Sequence, residues 1–455
     1  MATEWAERQL TGWGRYPVIK GQCARPERRS EVLGALADRR GDGVLAYGLG
    51  RSYGDAALLS EGRTVLMERL DRMLEFDPVT GWLRCEAGVS IRDLVDTWVP
   101  KGFFPPVVPG TTFVTVGGAL ANDIHGKNHH VAGSWADHVR RVEVLTADGQ
   151  VVVCDATQNQ GLFWATVGGL GLTGIILAMD VKLIPVHNDL IEMESIRVRD
   201  LDQFFEVSAQ SGAYTHTVSW IDCTAKGAAM GRGIFMRGRH AGAEVTRSEG
   251  LLERAQRWAS PMLDAGWLEP NWLLNQWTIK AFNEVYYRKQ WRAVSESVVP
   301  LEPFFFPLDF VKNWNYLYGK RGFLQYQFVV PPDPSWRAVR EILGAISKSG
   351  MASFLAVIKE FGEESHGGLS FPMPGPMIAL DFPNYGQPLL DLMDGLDKLV
   401  ADAGGRIYLG KDARLSAEMF RVMYPEWEAW KATRDQFDPQ GVFQSDLGRR
   451  LGLIG

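Results

Sequence analysis

The chain is poor in several things, and each shortage excludes a class. Only four of its 455 residues are cysteine, at Cys23, Cys85, Cys154 and Cys223, and none forms a CxxC pair. That excludes a disulfide framework and a thiolate zinc site, and it reads as reduced, intracellular cysteine use. Basic residues number 48 against 54 acidic, leaving a formal charge of −6. A general nucleic-acid binder would need a basic face, so nucleic acid is not an expected partner. No apolar run approaches the roughly 18 residues of a spanning helix. The first residues, MATEWAERQLTGWGRYP, carry charge early and have no apolar core, so no signal peptide is expected. The location to expect is cytoplasmic, with peripheral contact at the inner membrane allowed and the periplasmic face left open. Internal repeats and low-complexity tracts are missing too. Walker A and the dinucleotide fingerprint are also absent from the one strand–loop that invites them.

What remains is ordinary globular composition, 46% hydrophobic and 22% charged, on a chain long enough for two or more domains. Its functional signals are glycine-rich loops. A short apolar run at 44–47 leads into Gly48, Leu49, Gly50, Arg51, Ser52, Tyr53, Gly54 and Asp55. A strand ending in such a loop presents backbone N–H groups and an Arg to an anion, most plausibly a phosphate. Residues 109–130, PGTTFVTVGGALANDIHGKNHH, hold a Pro-Gly turn, a Gly-Gly pair, Asp123, His125, Lys127, His129 and His130. Glycines allow a second body to approach the backbone closely, and the His and Lys groups carry protons near neutrality. The three histidines have no acidic or Cys partner at zinc-like spacing, so no metal is expected.

Between these loops, Ser90 and Asp93 make a capping arrangement for a helix whose Ile91, Leu94, Val95 and Trp98 share one face, with Pro100 ending it. Strands 142–145 and 151–154 flank an Ala-Asp-Gly hairpin turn. The GLGLTG at 169–174 satisfies GxGxxG, but a helix precedes it and a strand follows. That is the reverse of a Rossmann loop, so a nicotinamide site is rejected here. A change of character near residue 190 marks a domain boundary. Residues 251–291 mix Trp258, Trp267, Trp272, Trp277 and Trp291 with Lys280, Arg288 and Lys289, which suits a lipid or partner interface as well as buried core helices. Three later strands carry polar residues on one face: Gln325 and Gln327, Lys359, and Asp381. Such a face meets water or lines a cavity for a hydroxyl-rich ligand. Near the end, 406–409 reads as a strand, 410–412 as a turn and 417–430 as one helix.

In order along the chain, LTGWGR (10–15), GLGRSYGD, VTVGGALANDIHGKNHH, LFWATVGGLGLTGII, YRK (287–289), GFLQYQFV, FPMPG (371–375) and KDARLSAE (411–418) resemble the FAD-linked oxidases of the vanillyl-alcohol oxidase type. Within that type they are closest to the branch acting on a polyprenyl-phosphate ribose. The resemblance spans nearly the whole chain. It implies an α+β, two-domain fold of the vanillyl-alcohol oxidase/p-cresol methylhydroxylase type. Residues 1–190 would form the FAD-binding part, 191–405 an antiparallel-sheet substrate domain, and 406–455 a C-terminal part completing the first. By the same resemblance, Gly48, Leu49, Gly50, Arg51, Ser52 and Tyr53, with Pro109, Gly110, Thr111, Thr115, Val116, Gly117, Gly118, Asn122, His125, Gly126 and Asn128, would hold FAD. Gly168, Gly169, Gly171, Gly174, Ile175 and Lys411 would join them. Related oxidases often carry a flavin-bonding His in the first loop. Arg51 stands there instead, and a guanidinium is no useful nucleophile, so FAD is expected to be non-covalent.

The activity implied is oxidation of the ribose C2 hydroxyl of a polyprenyl-phosphate sugar to the 2-keto sugar. This would be the first half of epimerisation to the arabinose form for cell-envelope glycan, with a separate NAD(P)H-dependent keto-reductase completing it. Lys411 is the first choice to bond the hydroxyl and hold negative charge, with His125 the alternative base and Tyr53 nearby. Lys127, Gln325, Gln327, Lys359 and Asp381 would contact the substrate, Lys359 through the sugar phosphate. Two departures from that branch stand out. Ala379 replaces a Cys, which removes thiol chemistry there, and Phe304, Phe305 and Phe306 replace aromatic and His positions before Pro-Leu-Asp. The competing readings are an O2-using oxidase of free sugars, alditols or aldonolactones on the same fold, and a flavin-free glycolipid-binding or membrane scaffold protein.

Overall fold

The computed structural model describes residues 3–246, 264–266, 276–353 and 355–454. Trp258, Trp267 and Trp272, central to the expected aromatic interface, lie outside these residues.

Two sheets build the N-terminal part. In the first, the strands lie in the order Ala6–Thr11, Val18–Ala24, Arg63–Leu66, Val44–Tyr47. The first pair is antiparallel and the rest parallel. The second sheet runs Met73–Asp77, Trp82–Glu86, Ile175–Lys182, Val139–Leu145, Val151–Cys154 and is antiparallel throughout. Between them, the Ile91–Trp98 helix is capped as the sequence predicts: the Ser90 hydroxyl accepts from the Asp93 amide, and the Asp93 carboxylate accepts from the Ser90 amide. The GLGLTG loop does join the helix Gln160–Thr166 to the strand Ile175–Lys182, in the order that excludes a Rossmann turn.

A third, eight-stranded sheet spans residues 190–407. Its order is Val294–Pro300, Leu190–Val198, Gly233–His240, His216–Ile221, Leu355–Phe361, Gly375–Pro383, Phe323–Val329, Arg406–Ile407, all antiparallel. Strand alternation gives the sheet two characters. One face sends Leu324, Tyr326, Phe328, Ala356, Ile358, Ile378 and Leu380 into the main core. There they meet Val339, Ile342 and Ile346 of the helix Arg337–Ser349 and Leu389, Met393 and Leu396 of Gln387–Asp402. The opposite face carries Gln325 and Gln327, Ala379 and Asp381, and Leu355, Val357 and Lys359. Register aligns these in rows: Gln325 with Asp381 and Leu355, then Gln327 with Ala379 and Val357. Along Leu355–Phe361, residues 355, 357 and 359 are partly open while 356 and 358 are buried.

The C-terminal residues come back to the first sheet. The Val44 amide donates to Val442 O and the Gln444 amide to Val44 O. Arg434, 2% exposed, donates to Leu172 O, Phe443 O and the Asp438 carboxylate, which also accepts from the Val442 and Phe443 amides. Two expectations are corrected here. The strand at 406 ends at Ile407 and passes into a 3-10 turn, Leu409–Lys411. The single helix over 417–430 is two, Ala417–Met423 and Trp427–Phe437. Pro425, lacking an N–H and clashing with the preceding turn, forces the break.

Replacing Arg434 by Ala leaves Asp438 buried without its cation and is expected to cost about 3 kcal/mol of stability. Urea unfolding of the two proteins checks this; a difference below about 1 kcal/mol contradicts the central place given to the pair.

Candidate active site

The open face of the large sheet is roofed by the two glycine loops. Residues 48–52 leave the strand Val44–Tyr47 and run beside residues 109–122. A Cβ on Gly48 would stand 2.6 Å from Thr115 Oγ1. Among the described residues, the amides of Gly48, Leu49, Gly50, Arg51 and Ser52 make no hydrogen bond. All five residues are partly open to solvent. Five consecutive free N–H groups, with the left-handed φ of +64 at Gly50, make an anion cradle. Arg51 adds its charge, held by Leu49 O and lying 4.1 Å over the Trp13 ring. Opposite, Thr112 is fixed by donating twice to Asp309, each at 2.7 Å. Thr115 caps the short helix Val116–Ala121 by accepting from the Gly118 amide. Gly110 is exposed, and a Cβ there would meet nothing within 4 Å. Asn122 lies 3.5 Å from Ser52 Oγ and receives Tyr408 OH on its carbonyl.

Other predicted glycines are held by the chain itself. A Cβ on Gly117 would stand 2.9 Å from the Ala87 Cβ, one on Gly169 2.1 Å from Ala165 O, and one on Gly174 2.6 Å from Leu145 O. Gly126 faces the Asn128 side chain, which donates to Pro106 O. Gly168 packs on Ser370, Gly171 on Leu45, and Pro109 and Thr111 line the open side while Ile175 is core.

His125 hangs from the second loop onto the sheet. Its Nε2 lies 2.9 Å from the Gln327 amide and its Nδ1 3.0 Å from Lys359 Nζ, which also donates to Gly126 O at 2.9 Å. Phe361, Phe371 and Tyr408 surround the ring. Burial, then the Lys359 charge, holds the imidazole well below its ordinary value, so it is neutral. Burial, then Lys127, likewise depresses Lys359. Lys127 donates to Phe305 O at 3.0 Å and lies beside the Phe304 and Phe305 rings; burial brings it down to about 8. The neighbouring histidines serve the loop: His129 Nδ1 accepts from the Gly362 amide, and His130 bonds Tyr214 O.

At the far end of the face, Lys411 Nζ rests 3.8 Å above the centre of the Tyr53 ring. Burial lowers it to about 8, opposed by the Asp381 charge. Asp381 is 0% exposed; Gln325 donates to its Oδ1, and Oδ2 has no partner among the described residues. Burial raises it to about 7. The structure thus gathers Tyr53, His125, Lys127, Gln325, Gln327, Lys359, Asp381 and Lys411, scattered over more than 350 residues of sequence, around one sheet face. Sequence reading missed the residues that brace them. Asp309 fixes Thr112. Asp123, named in the loop but given no role, is buried at φ +41 and accepts from Ser365. Tyr408 backs His125. Only FPMPG, one of the words that carry the resemblance, hinted at Phe371.

A free-amide cradle at the end of a strand, opening onto a groove lined with proton-carrying groups, fits a dinucleotide cofactor whose pyrophosphate it would neutralise. The class so defined is that of FAD-linked oxidoreductases. Comparison agrees: the FAD binding domain family matches residues 23–155, and the D-arabinono-1,4-lactone oxidase family matches residues 381–451. The chain is 39% identical to decaprenylphosphoryl-beta-D-ribose oxidase of Mycolicibacterium smegmatis, over 98% of both chains. It is 35% identical to an uncharacterised Streptomyces coelicolor protein, over 80% of this chain and 100% of that one. It is 21% identical to L-gulono-1,4-lactone dehydrogenase of Mycobacterium tuberculosis H37Rv, over 96% and 98%. The chain belongs to the decaprenylphosphoryl-ribose oxidase family of FAD-dependent oxidoreductases.

The two kinds of glycine are separable. Gly174→Ala, at φ +152 and against Leu145 O, is expected to lower stability by about 1–3 kcal/mol. Gly110→Ala should change it by less than about 0.5 kcal/mol while weakening FAD retention in gel filtration. Equal effects of both on stability would refute the distinction.

Proposed function

We propose that the protein oxidises the C2 hydroxyl of a polyprenyl-phosphate-linked ribose to the 2-keto sugar. The observation that carries this reading is the charge of the groove. Three lysines, Lys127, Lys359 and Lys411, converge there, with the Asp381 carboxyl at the Lys411 end. Buried cations need compensation. A phosphodiester substrate supplies it beside Lys127 and Lys359, whereas a free sugar or aldonolactone brings no charge. The D-arabinono-1,4-lactone oxidase match favours the second reading, an oxidase of uncharged sugars or lactones, for the C-terminal part.

Residues 1–190 and 406–455 would hold FAD through the cradle at 48–52 and the loop at 109–122, with residues 191–405 forming the substrate domain. When bound, FAD supplies the two-electron acceptor. Its linkage is non-covalent in this reading, since Arg51 occupies the first loop. Lys359 and Lys127 grip the phosphate, and Gln325 and Gln327 bond sugar hydroxyls along their row. Both ring nitrogens of His125 are already engaged, so it reaches a substrate proton only if Lys359 or Gln327 lets go. Its work is to hold the roof on the floor. Lys411, set near 8 by its surroundings, exists partly as the free amine close to working pH, the condition that suits a general base. The amine takes the hydroxyl proton, and the ammonium so formed faces the negative charge left at that end of the site. Tyr53 keeps water from beneath it. Among the described residues no helix is long and apolar enough to cross a membrane. Lipid contact would therefore be peripheral, and a separate keto-reductase would complete an epimerisation.

Anaerobic addition of a polyprenylphosphoryl ribose should bleach the flavin absorption near 450 nm (about that wavelength for flavins generally), and free ribose or an aldonolactone should not. Bleaching by the lactone alone would establish the second reading. Acid precipitation should leave the yellow colour in solution. The turnover rate should rise with pH through about 8, and Lys411→Met should lower it at least about 100-fold.

A further inference from the structure

Asp381 is the one group of this site whose chemistry the proposed reaction leaves unused. It sits two residues from the end of the strand Gly375–Pro383, closed off from solvent. Its amide donates to Ser353 Oγ at 2.9 Å, which fixes the backbone, and Gln325 holds Oδ1. Oδ2 is buried without a partner, and so is the hydroxyl of Tyr318 close by. A carboxylate in that state is costly unless a cation compensates it.

The groups facing it come from several elements. The strand Phe323–Val329 gives Gln325, and the loop at 48–55 gives Tyr53 with Arg51 behind it. Trp314–Tyr318 gives Tyr318, the residues after the strand give Tyr385, and Leu409–Lys411 gives Lys411. Asp309 and His125 stand farther round, acting on Tyr53 and Arg51 and on Lys411 respectively. Tyr53 joins Lys411 to the Asp381 row: its amide donates to Gly410 O, its ring lies under Lys411 Nζ, and that ring packs 5.2 Å from Phe323, two residues before Gln325 on the same strand. Lys411 in turn has an aromatic face under its Nζ and, among the described residues, no carboxylate bonded to it. The neighbouring Asp412 is turned away to Arg450.

We propose that Asp381 is a positioning residue that sets the charge of Lys411, acting across the Tyr53 ring and not on the substrate. Gln325 is its anchor, holding the carboxylate at the distance from which it tunes the amine. The inference rests on the reading that Lys411 borders the flavin, and it adds to that reading the group that keeps part of Lys411 protonated against the effect of burial. The sign follows from the charges. The Asp381 negative charge favours the ammonium, so its removal lets Lys411 lose its proton at lower pH. Loosening Gln325 favours the protonated carboxyl and works in the same direction.

The test is anaerobic potentiometric titration of the FAD-loaded enzyme across neutral and alkaline pH. A cation beside a flavin raises its reduction potential, so deprotonation of Lys411 appears as a break in the potential–pH plot near 8. Asp381→Asn, nearly isosteric, should move this break toward acid by about one pH unit. The acid limb of kcat should follow, while KM changes less than about twofold. Gln325→Met should move the break the same way, which covers the case in which Asp381→Asn does not fold. Lys411→Arg, which stays charged throughout, should abolish the break. A break unmoved in whichever of Asp381→Asn and Gln325→Met folds, or one that persists in Lys411→Arg, would overturn the proposal. Since no sugar enters this titration, a wrong substrate assignment shows up separately, as failure to bleach with a break that still moves.

Discussion

The junction on which this structure turns is a lysine amino group shared between two acceptors of one loop. Lys359 rises from the large sheet and meets both His125 Nδ1 and Gly126 O. Through it, a glycine-rich loop of the N-terminal part is pinned to the open face of a sheet more than 200 residues later. Gln327 closes the other side of the same imidazole. Neither contact would be worth much at a surface. In a site walled by Phe361, Phe371 and Tyr408, water competes poorly and each unmade bond would be expensive. The ring is thereby locked neutral and oriented, and the groove between loop and sheet acquires a fixed depth.

Much of that arrangement can be read in the sequence because it is written in local rules. The capped helix at 91–98, the alternation along 323–329 and the reversed order around GLGLTG all depend on neighbours a few residues away. They hold as expected. Where reading failed, a local rule was overlooked: Pro425 inside an apolar periodicity divides a helix. The bracing groups are different. Asp309 on Thr112, Ser365 on Asp123 and Gln325 on Asp381 join residues roughly 60 to 240 apart, and the partners are ordinary polar side chains. No periodicity or spacing distinguishes them from residues meeting water.

Glycine shows the same divide. In sequence the glycines of the cradle and those of the buried turns look alike. Gly110 faces open space, while Gly169 and Gly174 already press on carbonyls of their own chain. A glycine-rich word therefore signals close approach without saying what approaches. Here even Gly48 and Gly50 of the cradle press on their own chain, at Thr115 and Tyr47, while Gly110 is left open.

The sheet face separates the shape of the pocket from its charge pattern. Ala379 lies mid-row between Gln327 and Val357, where a methyl group fills little of the groove. Phe304, Phe305 and Phe306, each under about a tenth exposed, wall the Lys127 side, and the carbonyl that holds Lys127 belongs to the backbone of Phe305. Side chains along this wall can therefore change while the lysine keeps its acceptor. Specificity for the part of a ligand beyond the phosphate is thus separated from the charge that would hold the phosphate, because one is carried by side chains and the other by a main-chain carbonyl. An apolar wall beside a fixed cation suits a ligand whose charged and greasy parts adjoin. A small uncharged lactone would bring the lysine no counter-charge.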